Sequence, residues 1–160
     1  MGDRRYADHE NRTYIDPWDD ESSLLLLAQH HDGTVAGTVR YQWRQFRPFP
    51  ADELYDFHHY TALIGCCGPE VDRHVALLDR ASVLPRFQGL GLYPNLELLA
   101  ERVSHLIGVK LHAGLVAHEN ARMVRILESL GWRKTGRDVT YKGWAGIELY
   151  KLLEPASGGR

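Results

Sequence analysis

Val83-Leu84-Pro85-Arg86-Phe87-Gln88-Gly89-Leu90-Gly91-Leu92-Tyr93-Pro94 joins a β-like run to an amphipathic helix. Gln88 to Tyr93 reads as a glycine-bearing turn from strand to helix, a geometry that aims several main-chain N–H groups at one anion. Gly89 and Gly91 let the backbone approach a phosphate where a Cβ would collide. Pro94 suits the first helical turn, because its missing N–H has no helical partner there. A short glycine pair alone is equally compatible with a plain helix start, so the reading depends on what surrounds it.

Working outward, His74 to Val83 is the strand that feeds the turn. After it, Leu96, Leu99, Val103 and Leu106 fall on one helical stripe, and Gly108 closes the helix. Leu111 to Ala117 is the next strand. Asn120 caps a second helix with Met123, Ile126, Leu127 and Leu130 as its core face, ended by Gly131. Trp132 to Tyr141 and Ala145 to Leu153 form a closing hairpin-like pair. Upstream, Leu24 to Gln29 reads as a buried strand. Asp32-Gly33 marks a hairpin turn, and Val35 to Trp43 runs back with Val35, Gly37, Val39 and Tyr41 on one face. Phe46 to Arg73 is the least regular part and contains three of the four phenylalanines. It reads as a substrate-facing segment or a packed connection with a short helix. The order β-β-β-α-β-α-β-β describes one mixed α/β layer structure.

Bulk properties narrow the class. The chain has 160 residues, 44% of them hydrophobic and 25% charged, which suits one soluble domain with a real core. Residues 1–15 and 155–160 are expected to be flexible ends of that domain. A net charge of -2 argues against nucleic acid as the main partner. The longest apolar run, Leu24 to Ala28, is too short to cross a bilayer, and no signal-peptide pattern opens the chain. Adjacent Cys66 and Cys67 rarely bridge each other, and two thiols fit a reducing cytoplasm. The nine histidines show no metal-ligand spacing, so no metal is expected.

Two segments in combination carry a family resemblance. Val83-x-Pro85-x-Phe87-Gln88-Gly89-x-Gly91 is similar to the acyl-CoA pyrophosphate loop of the GCN5-related N-acetyltransferase (GNAT) superfamily. Val116-Ala117-His118-Glu119-Asn120-Ala121-Arg122, continuing to Leu127-Glu128-Ser129-Leu130-Gly131-Trp132, resembles that family's strand, Asn-capped helix and closing Leu-Gly-aromatic. The likeness spans about residues 15–153. Three features depart from the pattern. Tyr93 stands where the loop usually ends in Gly or Ala, and Leu127 stands where a tyrosine often serves as general acid. Arg86 is the only cation close to the loop. A narrower set is similar to the acyl-homoserine-lactone and N-acyl amino acid synthase branch: Asp16-x-x-Asp19, Gly37-Thr38-Val39-Arg40 and Asp79-Arg80-x-x-Val83. Leu77 occupies that branch's usual Glu position.

The resemblance implies a single-domain GNAT-like α/β fold, a mixed and mostly antiparallel sheet with flanking helices. Its two central parallel strands, here His74–Val83 and Leu111–Ala117, splay apart to admit a pantetheine arm. It implies an N-acyltransferase of the EC 2.3.1 class. The acyl group passes from acyl-CoA, or from the phosphopantetheine of an acyl carrier protein, to the amine of a small molecule. In this reading Gln88, Gly89, Leu90, Gly91, Leu92 and Tyr93 hold the phosphate end of the donor. Main-chain groups of Ala81, Ser82 and Val83 bind the pantetheine amides and face the thioester oxygen, where an oxyanion donor is worth roughly 3 kcal/mol. Asn120 both caps its helix and bonds the arm. Asp79 is a candidate base or orients a water that acts as one; it could equally pair with Arg80 or a neighbouring strand. His118, at the mouth of the opening, is a second candidate base or a loop histidine without a role. Arg40, Asp16, Asp19 and Trp144 are expected around the acceptor or carrier. Two rivals stand beside this reading: a protein or peptide lysine acetyltransferase, and a module that binds an acyl donor without turnover. The expected setting is the cytoplasm, without nucleic acid or membrane as partner, and a homodimer is left open.

Overall fold

The computed structural model describes residues 7–8, 13–14, 23–43, 57–66, 70–141 and 144–154. Two short strands, β1 (Ala7–Asp8) and β2 (Thr13–Tyr14), pair with each other. The main sheet has six strands in the order β3-β4-β5-β6-β8-β7. They are β3 (Ser23–Gln29), β4 (Val35–Trp43), β5 (Val75–Val83), β6 (Leu111–Ala117), β7 (Arg133–Tyr141) and β8 (Trp144–Leu152). Every neighbouring pair is antiparallel except β5 and β6, which run parallel. The crossover between them is α3 (Leu92–Ile107), as a parallel pair requires. α4 (Ala121–Ser129) links β6 to β7. Two short helices, α1 (Thr61–Ile64) and α2 (Glu70–His74), precede β5. No helix among the described residues is long and apolar enough to cross a membrane.

The hairpin turn follows from Asp32. Its Oδ1 accepts from the Thr34 N–H at 2.8 Å, and the His30 N–H closes the turn onto the Thr34 carbonyl at 2.8 Å. The strand before it is not buried, contrary to the sequence expectation. Leu24, Leu25 and Leu27 are exposed, because β3 is the sheet edge and only Leu26 and Ala28 reach the core.

The two faces of the sheet carry separate cores. On one, Val39, Tyr41 and Leu78 pack against Leu96 and Ala100 of α3, and Val116 against Val124 and Leu127 of α4. On the other, Phe57, Tyr60, Ile64 and Val71 cover Val75, Leu77, Leu111 and Ala113. The described part of the irregular segment is therefore a packed connection, which is the blander of its two expected roles.

The helix faces differ in part from the stripes read from sequence. Leu99 and Leu106 are exposed, Leu106 at 86%, while Glu97, Ala100 and Ser104 are buried. Polar residues win that face because the sheet satisfies them. Trp132 Nε1 donates to Glu97 Oε1 at 2.9 Å, and His112 Nδ1 stands 3.4 Å from the same oxygen. The Ser104 hydroxyl bonds His112 Nε2 and the Tyr41 hydroxyl, each at 2.7 Å. A buried network with every member partnered costs little and fixes one packing of the helix. On α4 the fully buried residues are Val124 and Leu127, with Met123 and Leu130 partly covered.

The feature that positions the site is the parting of β5 from β6. They pair only from Val75 with Leu111 to Leu77 with Ala113, although β5 has nine residues and β6 seven. Beyond that point β5 bulges against β4. Asp79 opposes Arg40 and Ser82 opposes Thr38, so β5 carries one residue more over this stretch. Arg80 takes the extra place with φ +51°, the only positive φ of a non-glycine among the described residues. A bulge bends its strand and disrupts the ladder, and here it turns the end of β5 away from β6.

Candidate functional site

At the end of β5 a 3-10 turn, Pro85–Phe87, leads into the glycine-bearing loop. The Leu84 N–H donates to Ala36 O at 2.9 Å and the Gln88 side chain returns to Val83 O at 3.2 Å, which ties the loop to the strand. Gly89 and Gly91 have φ of +82° and +74°, a region where a Cβ is costly. A Cβ built on either meets no protein atom within 4 Å. The glycines are therefore required by conformation, and the space beside them is open for a ligand. Gly91 is the residue before α3, and no side chain caps that helix end. The N–H groups from Gly89 through Tyr93 donate to no acceptor among the described residues. Consecutive bare amides at the positive end of a sixteen-residue helix form a site for an anion.

These amides open into a cleft of about 460 Å³. Of the residues expected to hold a donor, Ala81, Ser82, Val83, Gln88, Gly89, Gly91, Leu92, Tyr93 and Asn120 all line it. Leu90 does not, and its side chain is 65% exposed. The opposite wall comes from α4, whose Asn120 Oδ1 accepts from the Met123 N–H at 3.1 Å, the expected cap. The inner end of the cleft is the stretch of β5 that has left β6, so main-chain groups of 81–83 and 115–117 do not pair with one another.

Sequence reasoning missed the cation of this cleft. Arg86, the nearest in sequence, turns away: its Nη2 donates to Thr34 Oγ1 at 3.1 Å and its guanidinium stacks 4.8 Å over the Phe87 ring. Arg122 takes its place from α4, with Nη1 3.5 Å from Gln88 Oε1, and lines the cleft. It lay inside the Asn120 motif, at the second position of a capped helix, and that placement was the available signal. Met123, Ile126 and Ser129 of the same helix complete the wall. Tyr93, bulky for the loop, is accommodated because its hydroxyl reaches Glu97 Oε2 at 3.5 Å. Burial first, and the Glu97 carboxylate second, push that phenol far above its ordinary range, so it stays protonated.

The other candidates are placed differently. Asp79 forms a two-pronged pair with Arg40, Nε to Oδ1 at 2.7 Å and Nη2 to Oδ2 at 2.6 Å. Arg40, expected around the acceptor or carrier, is buried and joins β4 to β5 beside the bulge. Both oxygens of Asp79 are engaged by that guanidinium, so taking a substrate proton would compete with the pair. This is the alternative in which Asp79 pairs with a neighbouring strand. His118 is exposed, with Nε2 3.2 Å from Asp138 Oδ1, and is not among the cleft's lining residues. Leu77 and Leu127 are core residues. Asp16 and Asp19 lie outside the described residues, as does the side chain of Trp144, the first residue of β8. Cys66 is half-buried beside the second core cluster. Among the described residues no three His, Cys, Asp or Glu side chains converge as a metal site requires.

No protein-family model and no curated protein sequence matches the chain. Solved structures do. A CoA-dependent acyl-homoserine lactone synthase, BjaI, with SAM and isopentyl-CoA, superposes with a TM-score of 0.66 at 17% identity, covering 94% of this chain and 67% of that one. A second CoA-dependent acyl-homoserine lactone synthase, MesI, gives 0.61 at 19% identity over 90% and 69%. Nourseothricin acetyltransferase gives 0.60 at 17% identity over 89% and 75%. At these identities the likeness establishes the fold, which is the GNAT fold, with similarity to its acyl-homoserine-lactone synthase branch.

Proposed function

We propose that the chain is an N-acyltransferase that moves an acyl group from a pantetheine thioester to the amine of a small molecule. One observation carries the reading: a run of undonated amides from Gly89 to Tyr93 opens into a cleft that leads to two parted parallel strands. The first feature suits the phosphate end of a pantetheine. The second suits its amide-bearing arm, which can pair with the released strand groups as an added strand does. Solved structures of the same fold that are named for acyl transfer support the reading, and those named as CoA-dependent synthases support acyl-CoA as donor. Arg122 is the one cationic side chain among the described residues lining the cleft, so the loop amides and the α3 terminus bear most of the phosphate charge. That arrangement fits the single phosphate of a carrier-linked arm as well as CoA.

In this mechanism the loop and strands fix the thioester, and exposed main-chain groups near Ala81 to Val83 face its oxygen as it becomes an oxyanion. Asp79 holds Arg40 and with it the bulge that opens the strands. His118 pairs with Asp138 outside the residues that line the cleft. The test uses the protein itself. Titration with CoA, followed by ¹⁵N amide shifts, is expected to move the Gly89–Tyr93 signals first. Incubation with acyl-CoA and a panel of amines is expected to release thiol only when an amine is present. Shifts confined to other residues, or thiol release indifferent to amine, would refute the assignment.

A further inference from the structure

The main sheet has two edges, and the chain equips them differently. β7, at one edge, carries Arg133, Lys134, Arg137 and Asp138, and its register slips between Lys134 and Asp138 around the left-handed Gly136. Charges and a bulge are the devices that keep an edge from pairing with another chain. β3, at the other edge, reads Ser-Leu-Leu-Leu-Leu-Ala-Gln. It holds no charge and no proline, and its register is regular until the last residue. Among the described residues no strand lies on its outer side. Alternate residues of an edge strand point their N–H and C=O groups outward, where they form a template for a further strand.

Apolar surface gathers on both faces of that edge. Leu25 and Leu27 oppose Arg40 and Thr38, on the face away from α3, and Leu25 is 59% exposed. Leu24 shares the α3 face with Leu26 and is also exposed. α3 adds to this face. Glu97 reaches Trp132, whose ring lies over Gly114 of β6, and Glu101 pairs with Lys151 of β8. At about 100° per residue, Leu99 and Leu106 fall on the opposite flank of the helix, toward β3, and both are exposed. The five leucines together expose on the order of 500 Å² per chain, hence about 1,000 Å² over two copies, which is the threshold for a specific interface.

The strand is also complementary to itself. A two-fold axis through Leu26 sets β3 antiparallel to its copy, with Leu25 opposite the partner's Leu27, Leu24 opposite the partner's Ala28 and Ser23 opposite the partner's Gln29. Large apolar residues meet large or small apolar ones, polar ends meet polar ends, and no charge enters the seam. α3 rests mainly on β3 and β4. With strands about 4.8 Å apart, the two α3 helices then stand about 10 Å apart across the seam, close to the spacing at which helices pack. We infer that β3 is a homodimer interface, in which two copies of this chain pair antiparallel about Leu26 and continue one sheet through both. No β3 residue lines the donor cleft, so each copy keeps its own site.

Sedimentation velocity on the full chain, over a dilution series, reads the association directly. The expected result is a dimer that dissociates reversibly on dilution. Leu25→Lys alone, or Leu27→Glu alone, should raise its dissociation constant by roughly a hundredfold, because the axis places each unpaired charge in the seam twice. Both positions are exposed in the single chain, so thermal melts of the dissociated variants should show cooperative unfolding. The chain carrying both substitutions should dimerise again, since each new ammonium then faces the partner's new carboxylate. A wild-type chain that stays monomeric at every concentration overturns the inference, whether hydrogen exchange finds the β3 amides open or covered by another part of the same chain. A dimer that both single variants leave intact overturns it as well, as does an assembly that grows past two copies. Single variants that separate the copies, with no recovery in the double variant, overturn the pairing about Leu26.

Discussion

Gly91 and Gly108 stand at opposite ends of α3 with nearly the same backbone, φ +74° and +81°, and a Cβ on either meets nothing within 4 Å. Replacing either by alanine therefore adds no clash inside the protein and incurs only the left-handed penalty, about 1–2 kcal/mol. For a domain of this size that lowers the melting temperature by about 3–6 °C, well inside the usual margin of stability. The two variants should be equally destabilised and equally folded. Their effects on donor binding should differ. At position 91 the methyl enters the open space beside the bare amides, and a charge-assisted hydrogen bond to phosphate is lost or lengthened. Such a bond is worth about 1.5–3 kcal/mol, which corresponds to a loss of roughly 10–100-fold in affinity. At position 108, at the far end of the helix, CoA affinity should be unchanged. Calorimetric titration with CoA, beside thermal melts of both variants, makes the comparison. Equal losses of CoA affinity in the two variants, or wild-type affinity in Gly91→Ala, would show that the loop amides do not hold the donor.

Arg122→Ala should weaken CoA binding about threefold at low ionic strength, as an exposed charge does, and the difference should largely vanish near ~0.5 M salt, where the Debye length falls to about 4 Å. Asp79→Asn should lower stability by about 2 kcal/mol, because the buried Arg40 charge loses this two-pronged ion pair while Asp79 itself is partly solvated; urea midpoints at constant m-value test this. Burial holds the Tyr41 phenol up to about 12, against a small opposing effect of its bond to Ser104. A raised phenol pKa means that the folded state keeps a proton the unfolded chain gives up near pH 10. Its stabilisation is therefore complete below pH 10 and is lost as pH rises from about 10 to about 12, on the order of 2 kcal/mol. Urea midpoints measured from pH 9 to 11.5 should fall over that window, and Tyr41→Phe should reduce the slope.

What the sequence made legible was whatever a local rule decides. Alternation of apolar residues found the main strands, left-handed glycines marked the loop and the end of α3, and Asn120 announced α4, because each depends on neighbours a few residues away. The misreadings share the opposite property. The stripe on α3 was drawn through Leu99 and Leu106 because an apolar pattern cannot know that Trp132, His112 and Tyr41 will satisfy Glu97 and Ser104 from three different strands or their approaches. Arg122 was overlooked as the cleft's cation because it meets Gln88 across 34 residues of chain, whereas Arg86, two residues away, is drawn off by Thr34 and Phe87. For Asp79 strand alternation left open a base or a pair with a neighbouring strand, and only the β4–β5 register places Arg40 against both its oxygens. The contacts that Glu148 makes with His59, Thr135 and Arg137 on the other sheet face were invisible for the same reason, since the four come from three separate stretches of sequence. A donor grip that uses main-chain amides can be read from glycine spacing, since any side chains will serve around it.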